Sequence, residues 1–107
     1  VLYVVDTDLE SGSFVEAQRI SMSNPFGMAL IGNLLFVAEG EFGLTVLDAT
    51  DHDNLRIIKR HRDLIVYDVL AHPSDPDILF IANDDSIEQY QISNQGIDKT
   101  LLSRIVL

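Results

Sequence analysis

Leu34-Leu35-Phe36-Val37-Ala38 and, 44 positions on, Ile78-Leu79-Phe80-Ile81-Ala82 are the stretches that decide the fold. Each is a five-residue apolar run bounded by turn formers, with Gly32-Asn33 before the first and Asp75-Pro76-Asp77 before the second. Runs this short are too brief for globular helices and are apolar at odd and even positions alike. They read as strands covered on both faces. Working outward, similar runs rich in Val, Ile, Leu, Phe and Tyr recur about every ten residues. Segments such as Ser11-Gly12-Ser13, Glu39-Gly40-Glu41-Phe42-Gly43, Asn83-Asp84-Asp85-Ser86 and Ser93-Asn94-Gln95-Gly96 separate them, and all tolerate positive φ or preset a turn. No window of a dozen residues sustains a helical apolar period without meeting Gly, Pro or an Asp/Asn cluster. The chain reads as all-β.

The runs repeat. Leu2-Tyr3-Val4-Val5-Asp6 matches Leu44-Thr45-Val46-Leu47-Asp48, Phe26-Gly27 aligns with Tyr67-Asp68, and Arg19, Arg60 and Arg104 close apolar stretches at the same point of the cycle. One unit is 41 to 44 residues with four strands: 26–31, 34–39, 44–49 and 55–61 in the middle unit, then 66–72, 77–83, 86–92 and 97–105. The first unit supplies two strands, 1–6 and 14–20. Four strands in about 40 to 45 residues is the period of a β-propeller blade. The expectation is one propeller segment over 1–107, divided 1–24, 25–64 and 65–107 into about two and a half antiparallel blades. Fourth strands such as Leu55-Arg56-Ile57-Ile58-Lys59-Arg60-His61 add charge, as suits an outer edge that must not pair with other chains. So few blades cannot close a ring, so the chain is expected to be a fragment whose faces meet the remaining blades, or to self-associate through them. A self-contained small β-sandwich is the remaining architecture.

Composition narrows the function. The 107 residues are 47% hydrophobic and carry a net charge of −10, which is globular and argues against nucleic acid as a partner. With no cysteine, disulfides and thiolate chemistry are excluded. No apolar run is long enough to span a membrane as a helix.

Asn24-Pro25-Phe26-Gly27-Met28-Ala29-Leu30, then Gly32-Asn33-Leu34-Leu35-Phe36-Val37-Ala38-Glu39-Gly40 and Gly43-Leu44-Thr45-Val46-Leu47-Asp48, together resemble the LVIVD repeat. Leu2 to Asp6 resembles the same element, and Tyr67-Asp68-Val69-Leu70 with Asp85 to Ile92 is similar to a closing repeat of that family. Ser86-Ile87 stands where Gly-Leu is usual, and Gln91 where Asp is usual. The resemblance implies a propeller from an exported bacterial protein, periplasmic, outer-membrane-attached or at the cell surface, often a lipoprotein, without catalytic residues to carry over.

Candidate sites are few. Asp6-Thr7-Asp8-Leu9-Glu10-Ser11-Gly12 lacks the Gly and Glu positions of a Ca²⁺ loop and reads as a turn. Asp51-His52-Asp53-Asn54 and His72-Pro73-Ser74-Asp75-Pro76-Asp77 show no metal-ligand spacing, and no nucleophile elbow is present. The basic run Arg56 to Arg62 reads as a solvated edge. One geometric lead remains. In a propeller, the loops entering the innermost strand and those joining the second strand to the third share one rim. That rim would carry Phe26, Glu39, Glu41, Tyr67, Asp68, Asp84 and Asp85. The resulting expectation is a non-enzymatic binding or scaffolding segment with no cofactor and a protein or carbohydrate ligand. The alternative is a propeller lactonase or hydrolase holding a Ca²⁺-type ion on rim carboxylates.

Overall fold

The computed structural model describes residues 2–8, 13–20, 22, 25–51 and 53–107, with 2–8 and 13–19 described by backbone pairing. The strands, in chain order, are β1 (Leu2–Asp8), β2 (Ser13–Ile20), β3 (Gly27–Ile31), β4 (Leu34–Ala38), β5 (Leu44–Asp48), β6 (Arg56–His61), β7 (Asp68–Ala71), β8 (Ile78–Ala82), β9 (Ser86–Ser93) and β10 (Asp98–Val106). A 3-10 turn, Asn94–Gly96, joins the last two. The all-β reading holds, and every strand lies within one or two residues of its expected place.

The strands form antiparallel sheets in chain order: a two-stranded β1-β2 pair, then β3-β4-β5-β6, then β7-β8-β9-β10. Within each sheet neighbouring strands are consecutive in the chain, the arrangement that short turns dictate. Gly32 turns the β3–β4 hairpin at φ +57, a sign that its missing Cβ permits. Residues 34–38 and 78–82 occupy equivalent second positions in different sheets, Gly27↔Ala38 beside one and Asp68↔Ala82 beside the other.

The two larger sheets stack. Phe36, Ala38, Leu44 and Val46 of the first meet Val66, Val69, Leu79, Ile81, Tyr90 and Ile92 of the second in one apolar core. The opposite face of the first sheet, through Val37 and Leu47, packs against Ile20 and Met22. Because successive side chains of a strand point to opposite faces, β4 is buried on both, as its unbroken apolar run anticipates. The second sheet is covered on one face only. Leu70 is 66% exposed and Ile105 63%, while half-buried Phe80 lies directly across from Leu70, and Ala82, Ile87 and Ile105 are cross-strand neighbours. The charged strand β6 and the strand β10 are sheet edges, where cationic side chains hinder unwanted pairing.

Gly43 marks the tightest point. At φ +95, a Cβ there would lie 1.9 Å from the His61 carbonyl oxygen, a backbone atom with no freedom to retreat. Gly32 also has positive φ, yet nothing lies within 4 Å of its virtual Cβ. Gly43→Ala is expected to cost about 3 kcal/mol or more in urea unfolding, and Gly32→Ala only about 1 kcal/mol. Equal losses would contradict this packing.

Candidate functional site

The first strands of the two large sheets, β3 and β7, start side by side. A Cβ on Gly27 would lie 2.6 Å from Asp68 Oδ1, so the absence of a side chain lets the strand starts approach. Just before them, the Phe26 and Tyr67 rings meet edge to face, centroids 5.1 Å apart and planes inclined at 77°. The quadrupoles of aromatic rings favour that geometry. Beneath the rings runs the β4–β5 turn. Gly40 (φ +60) would place a Cβ 2.6 Å from Phe26 Cε2 and 3.3 Å from Tyr67 Cε1, so only glycine lets backbone floor this pair. Gly40 also exchanges two backbone hydrogen bonds with Val66, at 2.7 and 3.0 Å, tying this turn to the lead-in of β7.

The residues expected at the rim divide into groups. Phe26, Tyr67 and Asp68 are brought together. Glu41 is exposed on the turn beside them. Asp84 and Asp85 are exposed on the β8–β9 turn, which follows Ala82 just as the Gly40 turn follows Ala38, and therefore lie at the same end of their sheet. Asp85 accepts from the Leu107 amide at 2.8 Å through its carbonyl. Glu39 differs: it is 1% exposed, accepts a hydrogen bond from the Thr45 hydroxyl, and ion-pairs with Arg60 at 3.6 Å. Its carboxylate is turned inward, where a buried charge requires such partners.

Sequence reasoning missed the buried polar groups of the sheet interface. Glu88 accepts from Arg104 Nη2 at 2.6 Å and Nε at 3.0 Å, from Asn83 at 3.3 Å and from the Tyr90 hydroxyl at 3.4 Å. Burial and then the Glu88 carboxylate push the Tyr90 phenol up. Arg60 pairs across β5–β6 with Thr45, and Arg104 pairs across β9–β10 with Glu88. The recurring arginines therefore serve one purpose twice, neutralising a carboxylate that comes from the turn in one sheet and from the strand in the other. The repeat of Arg60 and Arg104 was visible in sequence, but the change of carboxylate donor was not.

His61, 3% exposed, donates from Nε2 to the Gly96 carbonyl at 2.7 Å, a direct bond between the two large sheets. The acidic stretch through residues 9–12 and His52 lie outside the described residues. Among the described residues no group of three or more His, Asp or Glu side chains is placed to hold a metal ion. Among the described residues no helix is long and apolar enough to cross a membrane.

No family model matches the sequence, and no curated protein matches it. A functionally unknown protein from Desulfotomaculum acetoxidans DSM 771, known from its crystal structure, has a similar fold: TM-score 0.75 at 14% identity over 96% of this chain. The match covers 34% of that protein, so this chain spans about a third of its length.

Burial lowers the His61 imidazole below its ordinary 6.5, with Lys99 and Lys59 adding to that effect, while the Gly96 carbonyl and Asp63 oppose it. The unfolded chain therefore binds the His61 proton more readily than the folded one. This contribution is intact above about pH 6.5 and shrinks as pH falls toward the lower folded-state value. Asp48 titrates well below that window, near 2, because the Thr50 hydroxyl and amide and then Arg56 hold its carboxylate ionised. Urea unfolding is expected to show stability declining from pH 7 to 5, and His61→Gln to flatten part of that slope. An unchanged slope in the variant would remove His61 from the account.

Proposed function

We propose that this chain is a segment of a β-propeller of LVIVD-type repeats, and that it works as a non-enzymatic binding scaffold. The observation carrying the reading is the contact of Phe26 and Gly27 with Tyr67 and Asp68. Positions equivalent in successive repeats stand next to each other, as expected when first strands of neighbouring blades surround an axis. The likeness to a chain about three times as long is consistent with further sheets of the same kind. Under this reading the bare face around Leu70, Phe80, Ile87 and Ile105 is where the next sheet stacks. The parent protein is then exported and bacterial, acting in the periplasm or at the cell surface.

The binding face is the end bearing Phe26. Its ring is 53% exposed, and the carboxylates of Glu41, Asp68, Asp84 and Asp85 are exposed at the same end. An acidic field draws cationic ligands, and an aromatic face gives a Lys or Arg side chain a place to rest. The ligand class that fits is a basic peptide segment of a partner protein.

Two experiments test this. Backbone-amide NMR with a short Lys/Arg-rich peptide should show saturable shifts at Phe26, Gly40 and Tyr67, while a neutral oligosaccharide and an acidic peptide leave them still. Phe26→Ala should weaken peptide binding roughly two- to fivefold, and salt should weaken it further. Shifts indifferent to peptide charge would defeat the proposal. Light scattering on the 107-residue chain should show association through the bare sheet face, reversed by Leu70→Gln with Ile87→Gln. A monomeric wild-type chain would count against stacking there.

A further inference from the structure

The positive charge of this acidic chain is gathered in one place. Of its seven Lys and Arg residues, Lys59, Arg60, Arg62 and Lys99 line a single open groove of about 460 Å³. The groove lies where the outer edge of the first large sheet, at the end of β6, meets the turn from β9 into β10. Its walls are held together by His61 donating to Gly96 at 2.7 Å and by Lys99 pairing with Asp63 at 2.8 Å. Protection of an edge strand accounts for cations on β6 itself. It accounts for neither Arg62, which lies beyond the strand, nor Lys99, which comes from the other sheet.

Two carboxylates also line the groove: Lys99 pairs with Asp63, and Asp98 accepts from the neutral Asn94 amide at 3.4 Å. Arg60 reaches away to Glu39. Among the described residues Lys59 and Arg62 have no carboxylate partner, so two exposed cations line the groove beside the paired Lys99. An anion able to accept from both would supply that partner. A tetrahedral oxyanion suits a planar guanidinium fork beside a compact ammonium. The rest of the surface is acidic and repels an extended polyanion, so the ligand is a single charged group and not a nucleic acid.

We propose that this groove is a binding site for a small oxyanion, a phosphate or sulfate group held by the Arg62 guanidinium and the Lys59 ammonium. The site is distinct from the aromatic end and stands independently of the propeller reading.

Inorganic phosphate, inorganic sulfate and glycerol phosphate, each titrated against chloride at constant ionic strength, test it by backbone-amide NMR. The expected result is saturable shifts confined to residues 59–63 and 96–99. Inorganic ions alone saturating identifies a free ion, and tighter glycerol phosphate an ester. Lys59→Gln with Arg62→Gln should weaken binding roughly tenfold or more, whereas Arg56→Gln, outside the groove, should leave it unchanged. Both substituted side chains are exposed, and Arg62→Gln alone provides a milder variant with the same expected direction. Linear shifts spread over the surface, or binding unaltered in these variants, would overturn the site.

Discussion

Burial of β4 on both faces is the constraint from which the rest of the packing follows. An antiparallel strand usually keeps one face in water, and a strand without a polar face needs a layer on each side. Phe36 and Ala38 take the second large sheet as their cover, while Val37 is covered by Ile20 and Met22. The hydrophobic effect is non-directional, so it specifies that layers stack without specifying how. Direction comes from polar contacts at the seams: the Gly40–Val66 bridge at one end, and His61 on Gly96 at the outer edge.

Glycine makes these close approaches possible. Gly43 lets backbone pass within a clash distance of His61, and Gly40 leaves room for two aromatic rings above the turn. The same turn thus sets the distance between sheets and supports the aromatic end. Stability and the candidate binding face share one piece of backbone.

Charge is sorted with equal economy. The two carboxylates most deeply involved in the packing, Glu39 and Glu88, each have an arginine from the neighbouring edge strand. The exposed carboxylates collect at the turns, and four of the seven Lys and Arg residues line the groove at the end of β6. A chain of net charge −10 therefore keeps a local concentration of cations at one sheet edge.

The sequence by itself determined the strand list, the order of strands within each sheet and the burial of 34–38. Those features follow from local turn chemistry and from which positions along a run are apolar, both readable residue by residue. It also marked Phe26 and Tyr67, and Gly27 and Asp68, as equivalent positions. Tertiary structure alone decided that each of these pairs comes together, that Glu39 faces inward, that His61 bonds across the sheets and that Lys99 joins the cations of β6. Each depends on how two sheets far apart in sequence are offset when stacked. That offset arises from many weak contacts and close backbone approaches acting together, and no short motif encodes it.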